Sequence, residues 1–121
     1  MPFSDPRQAF KDILENIGRI ERFTAGLDEH SFKENEQTVF AVQYALLVIS
    51  EAAMRLGEQA QQLAPEQPWQ SIRGLGNWLR HGYDRIDPGI LWRTVIVDLP
   101  PLKAAAKEAL RSLPPSGPES G

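Results

Sequence analysis

Cysteine is absent from the 121 residues. That excludes disulfides, a thiol nucleophile and thiolate metal sites, and it fits a reducing cytoplasm. Histidine is scarce, with only His30 and His81. Imidazole chemistry therefore has two possible addresses. No run approaches about 18 uncharged apolar residues, so the chain is not expected to enter a membrane. Residues 1–22 show no basic segment followed by an apolar one, and no signal peptide is expected. Strand-length alternation of apolar and polar residues is missing, as are Asn-Gly and Asp-Gly hairpin turns. There is no Gly-x-x-x-x-Gly-Lys-Ser/Thr loop, and Gly74-Leu75-Gly76 has no strand before it. No Asp, Glu and His cluster has metal-ligand spacing, so neither a metal nor a cofactor is expected. There is no internal repeat.

What remains is helical. Apolar residues make up 41% of the chain, enough for one buried core in one domain. Ser4-Asp5-Pro6 is a cap followed by proline and starts a first helix. Phe10, Ile13, Leu14, Ile17 and Ile20 give it an apolar face, and Gly26 marks its exit. A long second helix is expected over residues 31–63. Val39, Val42, Leu46, Ile49, Ala53 and Leu56 form one stripe on it. Phe40, Tyr44, Leu47, Val48 and Met54 lie outside that stripe, so the helix is covered on several sides, in part by a second subunit. A third helix runs over residues 69–80 and contains Gly74 and Gly76. Each glycine weakens a helix by about 1 kcal/mol relative to alanine, which points to close backbone approach or a functional kink. Asp87-Pro88 starts a fourth helix that Pro100 and Pro101 break or kink, and a last helix follows. The expected architecture is all-α, a compact bundle of four to five helices in one domain over residues 1–113. A disordered Pro, Ser and Gly tail is expected over residues 114–121.

Charge is unevenly placed. The net charge of −3 argues against a general nucleic-acid coat. Yet residues 1–70 carry six basic and eleven acidic side chains, while residues 71–121 carry seven and five. Arg73, Arg80, Arg85 and Arg93 crowd together, and the guanidinium fork suits phosphate. His30 sits in a polar stretch and reads as solvated. His81 sits where the third helix meets a charged loop. Histidine titrates near neutrality, an adjacent arginine can stabilise charge on a phosphate, and Tyr83 offers a hydroxyl. Such a trio could cleave RNA without metal, the 2′-hydroxyl attacking the adjacent phosphorus. On the residues alone the plainer account is a loop histidine that caps its helix, with Tyr83 on the core. Glu51 lies beside the apolar stripe of the long helix. It either pairs with Arg73 or Arg80 or reaches water.

One run of residues goes further. It reads Pro68-Trp69 … Ile72-Arg73-Gly74-Leu75-Gly76-Asn77-Trp78-Leu79-Arg80-His81-Gly82-Tyr83-Asp84-Arg85-Ile86-Asp87 … Leu91-Trp92 … Asp98-Leu99-Pro100 … Leu102. Together with Ala41-Val42 … Ile49-Ser50-Glu51-Ala52 upstream, it resembles the HepT-like branch of the HEPN superfamily. The likeness spans residues 37–113. The resemblance implies a helical bundle that forms homodimers, with two copies of an Arg-x-x-x-x-His-x-Tyr motif facing a shared cleft. It implies a metal-independent ribonuclease toxin whose partner is an MNT-type nucleotidyltransferase antitoxin that transfers AMP to the motif tyrosine. Carried over residue by residue, His81 is the catalytic histidine, Asn77 the asparagine after the arginine, and Tyr83 the AMP acceptor. Glu51 and Asp84 would support them.

The motif arginine itself is replaced by Gly76. Arg73 lies one turn earlier, about 5.4 Å along the axis, and Arg80 adjoins His81. Arg73 is the preferred substitute here, on the view that Gly74 and Gly76 leave the surface between clear. The alternative is a catalytically degenerate module that binds nucleotide, RNA or only its nucleotidyltransferase partner. On that reading Gly76→Arg would restore lost cleavage.

Overall fold

The structure is a computed structural model and describes residues 5–82 and 85–114. Among them there is no strand. Helix α1 spans Pro6–Thr24. The Asp5 carboxylate accepts the Arg7 backbone N–H at 3.1 Å and Pro6 opens the first turn, as the sequence signal requires. Phe10, Ile13, Ile17 and Ile20 are fully buried along one face. Gly26, at φ +80°, turns the chain out of the helix.

The expected long second helix is three helices: α2 over Glu29–Lys33, α3 over Glu36–Leu56 and α4 over Glu58–Leu63. Two breaks explain this. The Asn35 side chain accepts the Thr38 N–H at 3.0 Å and starts α3 afresh. Gly57, at φ +55°, ends it in a conformation that favours glycine. Before α2, the Asp28 carboxyl accepts the Ser31 backbone and hydroxyl protons, and these bonds hold it below the usual carboxylate range.

Helix α3 is the centre of the bundle, packed against α1, α5 and α6. It is long and apolar enough to cross a membrane by length and composition, but half of it is buried inside this bundle. Arg55 of α3 holds Asp12 of α1 at 2.6 Å. Helix α5 spans Trp69–Gly82. Its first residue anchors it: the buried Trp69 indole donates to the Ala64 carbonyl at 2.7 Å and meets Phe10 edge-on.

Helix α6 spans Pro88–Arg93 and α7 spans Leu99–Ser112. Between them Thr94–Asp98 forms a π-helical turn, with the Leu99 N–H bonded to the Thr94 carbonyl. Pro100 and Pro101 lack the N–H that an α-helix needs, and their rings press on the preceding turn. Widening that turn absorbs both prolines, so of the break or kink expected from sequence the chain takes a local distortion and not an interruption. Helix α7 then packs back on α1. Arg7 donates to the Leu113 and Pro114 carbonyls, tying the two chain ends of the bundle together. Apart from Pro114, the expected tail lies outside the described residues.

Candidate functional site at the end of helix α5

Helix α5 has two different sides. Trp69, Gly76 and Leu79 are buried, with Ile72 half-buried between them. The spacing 69, 72, 76, 79 is one helix face, and it packs on α3. Arg80, Arg73, Asn77 and His81 occupy the neighbouring sector, within about 100° of arc. Asn77, Arg80 and His81 are exposed. Asn77 precedes His81 by one turn, on the same side. His81 lies in the last turn of α5, inside a helix expected from sequence to end at residue 80, and not in the loop after it. His30 is exposed on α2 near Glu34 at 3.7 Å, away from this sector, in keeping with its solvated reading. Tyr83 and Asp84 lie outside the described residues, so their assigned roles are carried by sequence alone.

Gly76 does not leave clear surface. It faces inward, and a Cβ built on it would lie 2.9 Å from the Ser50 Cβ and closer still to the Ser50 hydroxyl oxygen. Ser50 is fully buried. Its hydroxyl donates to the Arg73 carbonyl at 3.0 Å and accepts the Gly76 N–H at 3.0 Å. A serine of α3 is thus wedged against the backbone of α5, and only hydrogen fits opposite it. The close approach suggested by the two glycines is real at Gly76. At Gly74 nothing lies within 4 Å of an added Cβ. Sequence reasoning did not single out Ser50. The available signal was a lone hydroxyl amid the apolar Ile49, Ala52 and Ala53, facing a glycine-bearing helix.

The two candidate arginines have different fates. Arg73 does not reach toward His81. Its guanidinium donates to the Gly57 carbonyl at 2.7 Å, the Ala53 carbonyl at 3.3 Å and the Gln61 side chain at 3.3 Å. Two of these acceptors are carbonyls in the last turn and at the C-cap of α3, so Arg73 is held against the end of that helix. Arg80 instead leans back over Gly76, as helical side chains lean toward the N-terminus. Its Nη1 is 3.4 Å from the place where a Gly76 Cβ would stand. It lies 3.7 Å from the Glu51 carboxylate, and the Arg80 side chain stays 39% exposed. Glu51 therefore supports Arg80 and not Arg73, settling which cation it approaches. Among the described residues no three His, Cys, Asp or Glu side chains are grouped to hold a metal ion.

Most of this helical chain, α5 and His81 included, matches a known sequence family. The family described as Ribonuclease HepT-like matches residues 13–109. This chain belongs to the HepT-like ribonuclease family. It is 38% identical over 93 residues to a Thermococcus cleftensis protein named "Probable ribonuclease HepT", covering 77% of this chain and 84% of that one. It is 34% identical over 99 residues to a Methanocaldococcus jannaschii protein named "Putative RNase MJ1380", covering 82% and 91%. A second M. jannaschii protein, "Putative RNase MJ0127", is 36% identical over 100 residues, covering 83% of each chain. No solved structure matches the chain. The match places the α3–α5 pair and His81 inside the HepT-like region.

Proposed function

We propose that this HepT-like chain is the ribonuclease toxin of a toxin–antitoxin pair, acting in the cytoplasm and cleaving RNA without a metal. The observation that carries the reading is His81 exposed on the last turn of α5, with the half-exposed Arg80 beside it on the same flank. His81 takes the proton of a ribose 2′-hydroxyl. The freed oxygen attacks the adjacent phosphorus and the P–O5′ bond breaks. A proton returned from His81 completes the 5′-hydroxyl. The products are a 2′,3′-cyclic phosphate and a 5′-hydroxyl end. A guanidinium near the phosphoryl oxygens stabilises the charge that builds on them. The direct test is purified protein with RNA in a chelator, wild type beside His81→Ala.

The same reading makes the protein a homodimer. Phe40, Tyr44 and Met54 are 53%, 69% and 52% exposed on α3. With Leu47 they follow the spacing 40, 44, 47, 54, the seam of two packed helices. Glu51 sits in that seam next to Arg80, so pairing two seams would bring two candidate sites to one cleft. Light scattering is expected to give a dimer at about tens of micromolar, a working range for a stable interface. Tyr44→Glu is expected to give a folded monomer. A wild-type monomer at that concentration contradicts the dimer.

The proposed partner is an MNT-type nucleotidyltransferase. It would transfer AMP from ATP to the Tyr83 hydroxyl, releasing pyrophosphate. The added charge and bulk, two residues along the sequence from His81, would repel RNA. Mass spectrometry after co-expression is expected to find AMP on the peptide that contains Tyr83. An unmodified Tyr83 in a complex that nonetheless forms would sink this mode of neutralisation.

A further inference from the structure

We infer that Arg80 is the phosphate-binding cation of this site, delivered from one turn later because Ser50 closes position 76 to any side chain. The inference rests on the ribonuclease reading above.

Three observations converge on it. First, position 76 cannot bear a cation. Its missing side chain would collide with Ser50, which is fully buried and tied by two hydrogen bonds to the α5 backbone, so Ser50 has nowhere to go. Second, the guanidinium that does lie at that spot comes from Arg80. Its Nη1 approaches to 3.4 Å of the place where a residue-76 side chain would begin. The absence at 76 and the presence of Arg80 are therefore one arrangement, since a side chain at 76 would crowd the space that Arg80 uses. Third, the other arginine is committed elsewhere. Arg73 spends its donors on Ala53, Gly57 and Gln61.

Glu51 completes the arrangement without disabling it. At 3.7 Å it is a loose partner that orients one edge of the fork. A guanidinium has five N–H donors, and the remaining ones suit two phosphoryl oxygens at once. Phosphate carries its charge on several oxygens and can share or displace the carboxylate.

The test uses full-length protein and two RNAs of one sequence. One is cleavable, and the other is blocked by 2′-O-methyl groups throughout. Cleavage of the first and the salt dependence of binding to the second are measured for wild type, Arg80→Ala, Arg80→Lys, Arg73→Ala and the double variant Gly76→Arg/Arg80→Ala. Arg80→Ala is expected to lower cleavage about 10²–10³-fold, the usual effect of removing one such donor. It should also reduce the slope of log affinity against log salt by about 0.7, one phosphate contact on a single strand. Arg80→Lys should recover the slope but not the rate, because a point charge lacks the fork. Arg73→Ala should melt earlier yet keep the wild-type slope. The double variant should stay as inactive as Arg80→Ala.

An Arg80→Ala protein with wild-type rate and slope overturns the inference. So does Arg73→Ala losing the slope while Arg80→Ala keeps it. Activity in the double variant overturns the claim that position 76 is closed. If no variant cleaves RNA but Arg80→Ala still loses its salt slope, Arg80 binds phosphate and the cleavage reading alone fails. If the wild type binds neither RNA, both fail.

Discussion

Gly76→Arg is expected to destabilise the protein severely and to add no activity. The smaller change Gly76→Ala already isolates the cause. Alanine is the better helix former by about 1 kcal/mol, so at an open position it would stabilise α5. Here its Cβ meets Ser50, which is buried and doubly hydrogen-bonded. Overpacking a core costs about 1–3 kcal/mol. Displacing the Ser50 hydroxyl from its partners adds about 1–3 kcal/mol more for buried groups left unpaired. The collision outweighs the propensity gain. Thermal melts followed by circular dichroism should show a clear loss for Gly76→Ala and a larger one for Gly76→Arg. The double variant Ser50→Gly/Gly76→Ala removes both obstructing atoms and should regain much of the loss. A Gly76→Ala protein as stable as wild type contradicts the close contact between α3 and α5.

His81→Ala carries the largest expected effect on activity. General acid–base catalysis contributes about 10²–10⁴-fold, and His81 is the imidazole at the end of α5. Its exposure means that little packing is lost, so stability should change by no more than about 0.5 kcal/mol. A rate collapse with an unchanged melt is the signature of a chemical role. His30→Ala is the internal control, because His30 sits on α2 beside Glu34. Equal losses from both variants would mean that neither histidine does the chemistry.

Much of the fold was legible in the sequence. Asp5-Pro6 and Asp87-Pro88 named two helix starts because cap and proline act locally, within one turn. The apolar stripes of α1 and α3 follow from period alone. The breaks at Asn35 and Gly57 were harder, since apolar spacing continues across both and masks the caps. The π-helical turn was not legible as such. Two adjacent prolines announce a disturbance, but whether a helix breaks or widens depends on how α7 packs on α1.

The site was legible in part. His81 was singled out by the motif it matches, whereas the residues alone favoured a helix-capping histidine; what the structure adds is its exposure on the last turn of α5. Arg73 was misdirected for a definite reason. Its sector of α5 adjoins both the His81 flank and the end of α3, and the carbonyls at Ala53 and Gly57 claim it. Where α3 ends is a tertiary fact. Gly76, by contrast, could have been placed inward from its spacing with Trp69, Ile72 and Leu79. Reading it only as a missing arginine hid its structural use.

The most direct measurement of the central claim is the chemistry of the cut ends. Wild-type protein is incubated with RNA in excess chelator, beside the same RNA carrying 2′-deoxy sugars. The account predicts cleavage of the ribose strand to 2′,3′-cyclic phosphate and 5′-hydroxyl ends, and no cleavage of the deoxy strand. Cleavage of the deoxy strand, dependence on added divalent metal, or an intact ribose strand would contradict it.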